Sequence, residues 1–168
     1  NYMDENPKVN KIFEEVDQNL KIQNFDLAEI NLKRILEIDK TNLKALFLLG
    51  SVFLNIEQYD KSVEYLNKVI SINPSIVNAH SNLGIVHIKL KKYEDAKKFL
   101  KKAIELNSNH LDAHNYLGVV YCELGNFSKA LDSVNKALKL DSNFFSAYNN
   151  LGIIYKRFEY YNESEDSF

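Results

Sequence analysis

A single cysteine, two prolines and five glycines in 168 residues leave little room for several common architectures. The one thiol, Cys122, excludes an intramolecular disulfide framework and cannot by itself hold a structural zinc ion. Neither sign of charge dominates. The 21 basic and 23 acidic side chains leave a net charge of −2, so the overall balance does not draw the chain to nucleic acid or anionic lipid. No apolar run is long enough to span a bilayer, because the longest, residues 45–56, is interrupted by Gly50, Ser51 and Asn55. The first seven residues lack the basic start and apolar core of a secretory signal, and a cytoplasmic location is expected. Hydrophobic residues at 45% and charged residues at 26% exclude intrinsic disorder. There is no glycine-rich phosphate loop, nucleophile elbow or His-Glu-x-x-His run, so neither an enzyme nor a cofactor is expected from the motifs.

What is present is a period. Four of the five glycines are Gly50, Gly84, Gly118 and Gly152, at successive spacings of 34. A leucine precedes each: Leu49, Leu83, Leu117 and Leu151. Three residues later stand rings, Phe53, His87, Tyr121 and Tyr155, and nine residues later Tyr59, Tyr93, Phe127 and Tyr161. Ala45, Ala79, Ala113 and Ala147 keep the same period, as do the small residues Ser62, Ala96, Ala130 and Ser164. Asp39, Asn73, Asn107 and Asp141 mark a turn before each new unit. Within a unit, Ala79, His80, Leu83, Val86, His87 and Leu90 recur at three and four, the period of one helix face. Tyr93, Ala96, Leu100, Ala103 and Ile104 do the same for the next helix. Only Lys91 and Lys92 separate the two, so the pair must be antiparallel. One pair cannot bury its face alone, and neighbouring pairs must stack. Thr41, Ser75, Asn109 and Asn143 are the expected N-caps of the first helices.

The runs Ala79-His-Ser-Asn-Leu-Gly84, Ala113-His-Asn-Tyr-Leu-Gly118 and Ala147-Tyr-Asn-Asn-Leu-Gly152 resemble the first half of the tetratricopeptide repeat (TPR). Tyr93-Glu-Asp-Ala96 and Phe127-Ser-Lys-Ala130 resemble its second half. The resemblance covers nearly the whole chain. It implies an all-α right-handed superhelix, an α-solenoid of antiparallel helix pairs, forming one domain over residues 1–168. The expected repeats are 9–42, degenerate, then 43–76, 77–110 and 111–144, and an incomplete 145–168. In the first, Ile12, Ile22, Phe25, Ala28, Leu32 and Ile35 keep the period, while Glu15, Val16 and Asn19 replace leucine, glycine and ring. Phe168 falls where a second helix should bury a large residue, which reads as a fragment of a longer chain or an end covered by self-association.

The resemblance further implies that the first helices line a concave groove holding a peptide or helix of a partner protein. The expected ligand contacts are Asn82, Tyr116, Asn149 and Asn150, with Phe47 and Asn115 behind them. An asparagine amide can donate to a carbonyl and accept from an N–H, and rings supply anchors. Asparagine is common throughout, at 21 positions, which weakens any argument resting on it alone. A two-carboxylate clamp for chaperone tails is not expected, because its places hold Phe47, Ser51, Asn82, Asp112 and Tyr116, and only Asn82 matches. Two other readings stand beside the interaction scaffold: the substrate-presenting repeat region of a larger enzyme such as a glycosyltransferase, and a structural scaffold self-associating through open repeat ends. Nucleic acid and membrane insertion are not expected.

His110 and His114, four apart, could in principle share a metal. His80 and His114 instead occupy the packing slot of Leu46 and Tyr148, and His87 that of Phe53 and Tyr121, so no metal site is expected. Cys122 reads as a small apolar filler. Lys89, Lys91, Lys92, Lys97, Lys98, Lys101 and Lys102 read as the solvated face of a second helix. The acidic residues Glu159, Glu163, Glu165 and Asp166 would allow a head-to-tail contact between molecules, which salt would screen.

Overall fold

The computed structural model describes residues 6–165. Among them are nine α-helices and no strand: α1 (Pro7–Lys21), α2 (Phe25–Ile38), α3 (Leu43–Asn55), α4 (Tyr59–Ile72), α5 (Val77–Lys89), α6 (Tyr93–Leu106), α7 (Leu111–Glu123), α8 (Phe127–Leu140) and α9 (Phe145–Glu165). The fold is all-α. The contacts divide within α5, between Asn82 and Leu83, into two compact units.

The connections inside each pair show why the period is 34. Among the described residues, Gln23, Glu57, Lys91 and Gly125 have positive φ, at 56°, 62°, 58° and 74°. They recur at 34 and turn the chain back in a left-handed step. Only Gly125 adopts it freely; a side chain there costs about 1–2 kcal/mol. Packing must offset that cost three times. Between pairs, Asp39, Asn73, Asn107 and Asp141 each accept the N–H two residues on, from Thr41, Ser75, Asn109 and Asn143, at 2.9–3.0 Å. These are Asx turns.

The N-caps therefore stand one residue later than expected. Thr41 is committed to Asp39 through both its N–H and its hydroxyl. Asn42 caps α3 by accepting from Ala45 N, and His110 caps α7 by accepting from Ala113 N at 3.1 Å. Asn6, Asn24 and Asn126 cap α1, α2 and α8 in the same way.

In the first unit, α1 contributes Val9, Ile12, Phe13 and Val16, which pack with Ala28, Leu32 and Ile35 of α2 and Ala45, Leu49, Val52 and Phe53 of α3. Each fully buried leucine, valine or isoleucine contributes about 1.5–3 kcal/mol relative to exposure. The degenerate first repeat holds its pattern except at Ile22, which is exposed because it closes α1 beside the left-handed Gln23. In α3 and α4 the crossing is close enough for the buried Ser62 hydroxyl to donate to Gly50 O at 2.7 Å. In the second unit, α8 and α9 bury Ala130, Val134, Ala137, Ala147 and Ile154 together with Cys122 of α7.

The expected two-helix form of the last repeat is not seen. Glu159, the counterpart of the left-handed turn residues, lies inside α9, which runs unbroken from Phe145 to Glu165. A break there would place a side-chain residue in the left-handed region and give up helix hydrogen bonds. Here nothing repays it: Phe127 instead holds Phe158 and Tyr161 against itself, at 5.6 and 5.7 Å between ring centroids. The side chains of residues 163–168, including Phe168 and the acidic Glu163, Glu165 and Asp166, lie outside the described residues, as do residues 1–5.

Candidate binding face

On each first helix one stripe stays open. On α3 it is Lys44, Leu48, Ser51 and Asn55; on α7 it is Asp112, Tyr116, Val119 and Glu123; on α9 it is Ser146, Asn150, Ile153 and Arg157. All are half-buried or exposed. Spacing of three and four puts each set on one helix face. On α3 and α7 most of the residues between them are buried, whereas on α9 only Ala147 and Ile154 are.

The six expected contact residues separate on this geometry. In the first unit, Phe47 is half-buried, and Asn82 is half-buried with its amide donating to Ser51 Oγ at 3.1 Å. In the second unit, Tyr116 and Asn150 are half-buried and Asn149 is exposed. Asn115 is 0% exposed. Its amide donates to Ser146 Oγ at 3.2 Å, and its carbonyl accepts from Asn150 Nδ2 at 2.9 Å, tying α7 to α9. Asn115 is thus a packing residue that positions α9 behind the open stripe. Phe47, Asn115 and Asn149 share one slot of the repeat, whereas Leu48, Asn82, Tyr116 and Asn150 share the next one, which is half-open every time. That regularity was readable from the 34-residue alignment.

Electrostatics along the α7 and α9 stripes is local. Burial, and then Asp112, push the Tyr116 phenol above its ordinary value, so it stays a neutral donor. Glu123 and Arg157 pair at 2.8 Å. Burial raises the Cys122 thiol, with Arg157 acting against it, which keeps the sulfur a thiol and fits its place in the core.

The histidines are tied internally. His80 Nε2 donates to Pro74 O and His114 Nε2 to Ser108 O, both at 2.8 Å, and Tyr148 makes the corresponding bond to Ser142 O. A carbonyl only accepts, so each of these ring nitrogens carries its hydrogen. His87 Nδ1 meets Leu83 O at 2.7 Å. Among the described residues no group of three or more His, Cys, Asp or Glu could hold a metal ion. No described helix is long and apolar enough to cross a membrane.

His110 gives a pH dependence. Burial lowers its pKa from the ordinary 6.5, against Asp112, which raises it, while His114 adds to the lowering. A protonated ring would also lose the Nδ1 lone pair that caps α7 and place a cation at a helix N-terminus. The folded state therefore takes up the proton later than the unfolded chain. Stability is fullest above the unfolded value and is lost as pH falls from there through the lower folded value. His110→Asn, which substitutes the cap residue used by α2, α3 and α8, is expected to melt progressively higher than the parent from about pH 7.5 to about pH 5. Parallel melting curves at every pH would exclude this role for His110.

Residues 75–143 match the family model for the tetratricopeptide repeat. Residues 21–103 match the model for anaphase-promoting complex, cyclosome, subunit 3. The chain is a tetratricopeptide repeat protein. Solved structures agree on the fold. One MamA protein is 26% identical, with a TM-score of 0.75 over 99% of this chain and 98% of its own. A MamA from Desulfovibrio magneticus RS-1 is 21% identical, with a TM-score of 0.82 over 96% and 91%. YrrB, described as a TPR protein with an unusual peptide-binding site, is 20% identical, with a TM-score of 0.73 over 84% and 73%. No curated protein sequence matches. The TPR fold and these neighbours support a protein-interaction scaffold, a class that is generally non-enzymatic.

Proposed function

We propose that this TPR protein binds an extended peptide or a helical segment of a partner protein along the open stripes of its first helices. One observation carries the reading: the slot of Leu48, Asn82, Tyr116 and Asn150 is half-open at all four of these successive positions. Tyr116 is the anchor in the second unit, a large ring with a hydroxyl and little entropy to lose. Asn82 in the first unit offers an amide that can serve a partner's main chain. Asn115 and Asn150 position this face and do not themselves carry specificity. The α7 stripe carries Asp112 and Glu123 and no basic side chain, and Arg157 of α9 answers only Glu123, so the stripe disfavours a strongly acidic peptide.

The test is selection from a random peptide library, followed by affinity measurement with variants whose circular dichroism matches the parent. Tyr116→Ala is expected to weaken selected peptides at least about tenfold, about 1.4 kcal/mol, and Asn82→Ala less. Lys98→Ala, on the outer face of α6, is expected to change nothing. Equal binding by parent and Tyr116→Ala would move the site off the α7 stripe.

A further inference from the structure

Residues 65, 99 and 133 occupy one column of the repeat, on α4, α6 and α8. Tyr65 stacks on Phe53 at 5.4 Å between centroids. Phe99 lies against His87 at 5.1 Å. In α8 the column holds Ser133. Tyr121, the counterpart of Phe53 and His87, has no ring from α8 beside it at this level, and a cavity of about 480 Å³ opens there instead. Ile104, His114, Leu117 and Tyr121 line it from α6 and α7. The Ser133 hydroxyl is spent on Lys129 O, at 2.8 Å, so it asks for no partner in the cavity.

The first unit shows what fills such a space. There Lys61 Nζ stands 5.1 Å from the Phe53 ring centroid and Lys68 Nζ 4.7 Å from that of Tyr65. The counterparts of these lysines are Lys129 and Lys136, and both line the cavity. Lys129 Nζ already lies 5.8 Å from the Tyr121 ring. With Lys101, three cations border the cavity against one carboxylate, Asp132. We propose that this cavity binds a small aromatic anion, its ring stacked on Tyr121 in the space that Tyr65 and Phe99 fill in their repeats and its charge met by Lys129 and Lys136. Cation–π attraction and ring burial supply the ring selectivity, and the net positive rim supplies the charge selectivity. The site lies between second helices and is independent of the open stripe on α7.

The probe is p-toluate, a ring of Tyr65's size bearing a carboxylate. It is titrated into the whole chain and followed by amide NMR shifts, with p-cresol as the uncharged ring and cyclohexanecarboxylate as the charge without a flat ring. Toluate is expected to shift the signals around Tyr121 and Ser133 and to bind at least about tenfold tighter than either comparator. Ser133→Phe should remove binding by filling the space as Phe99 does, without lowering Tm, while Ser133→Ala keeps binding. Lys129→Gln/Lys136→Gln, on the surface, should bring toluate down to the level of cresol, while cresol itself weakens far less, by the lost cation–π contact alone, which decides the matter even if Ser133→Phe does not fold. No toluate binding by the parent, equal binding by toluate and either comparator, or full binding by a folded Ser133→Phe would each overturn the proposal.

Discussion

Gly118→Ala and Gly152→Ala are expected to change stability in opposite directions, although the two glycines hold the same place in successive repeats. A Cβ on Gly118 would overlap Val134 Cγ2 and come within 3.0 Å of Ala130 O. Neither neighbour yields easily. One is backbone, and the other is a β-branched side chain with one favoured rotamer in a helix. Overpacking of this kind costs about 1–3 kcal/mol, only partly offset by the helix preference of alanine over glycine, about 0.8–1 kcal/mol. Leucine at 118 should cost more still. Gly50 and Gly84 face the same crossing, with Leu66 Cγ at 2.6 Å and Leu100 Cγ at 2.5 Å from an added Cβ. At Gly152 nothing among the described residues lies within 4 Å, because α9 runs on where the other repeats fold back a second helix. There the helix preference acts alone, and alanine should stabilise by up to about 1 kcal/mol. Thermal melts of the two variants check both signs. A destabilising Gly152→Ala would mean that a helix does pack on that face of α9 in solution.

The glycine period made these crossings legible, because glycine in mid-helix is costly and is retained where backbones approach. The helix pairs, their antiparallel turns and the buried Ala45, Ala79, Ala113 and Ala147 follow from the same spacing. The caps were displaced by one residue, since a polar residue after an Asx turn and a capping residue look alike in sequence. The unbroken α9 was not legible at all. Its turn position, Glu159, is no worse suited to a left-handed step than Gln23, Glu57 or Lys91. What differs is the packing that would repay the step, a tertiary quantity. Ser133 was readable in principle, as a gap in a column of rings, but only alignment by repeat exposes it.

Asn115→Ala is expected to cost about 2–3 kcal/mol, whereas Asn149→Ala, in the same slot one repeat later, should stay within about 0.5 kcal/mol. The chemistry of the two side chains is identical, and the surroundings decide. Asn115 is fully buried and serves two partners; removing it leaves a void and takes the acceptor from the Asn150 amide. A lost hydrogen bond with an amide left stranded costs about 1–3 kcal/mol, to which the void adds. Asn149 is exposed, with no helix packed beyond α9 among the described residues. A double-mutant cycle of Asn115→Ala with Asn150→Ala isolates the link, with an expected coupling of about 0.5–3 kcal/mol. The functional consequence follows from the same geometry. If Asn115 positions α9 behind the open stripe, its loss should weaken peptide binding in proportion to lost stability and be rescued by stabilising the fold elsewhere. Tyr116→Ala should lose binding that no stabilisation restores. An Asn115→Ala variant that melts like the parent yet loses its peptide would return Asn115 to the ligand contacts and show that the burial of its amide gives way on binding.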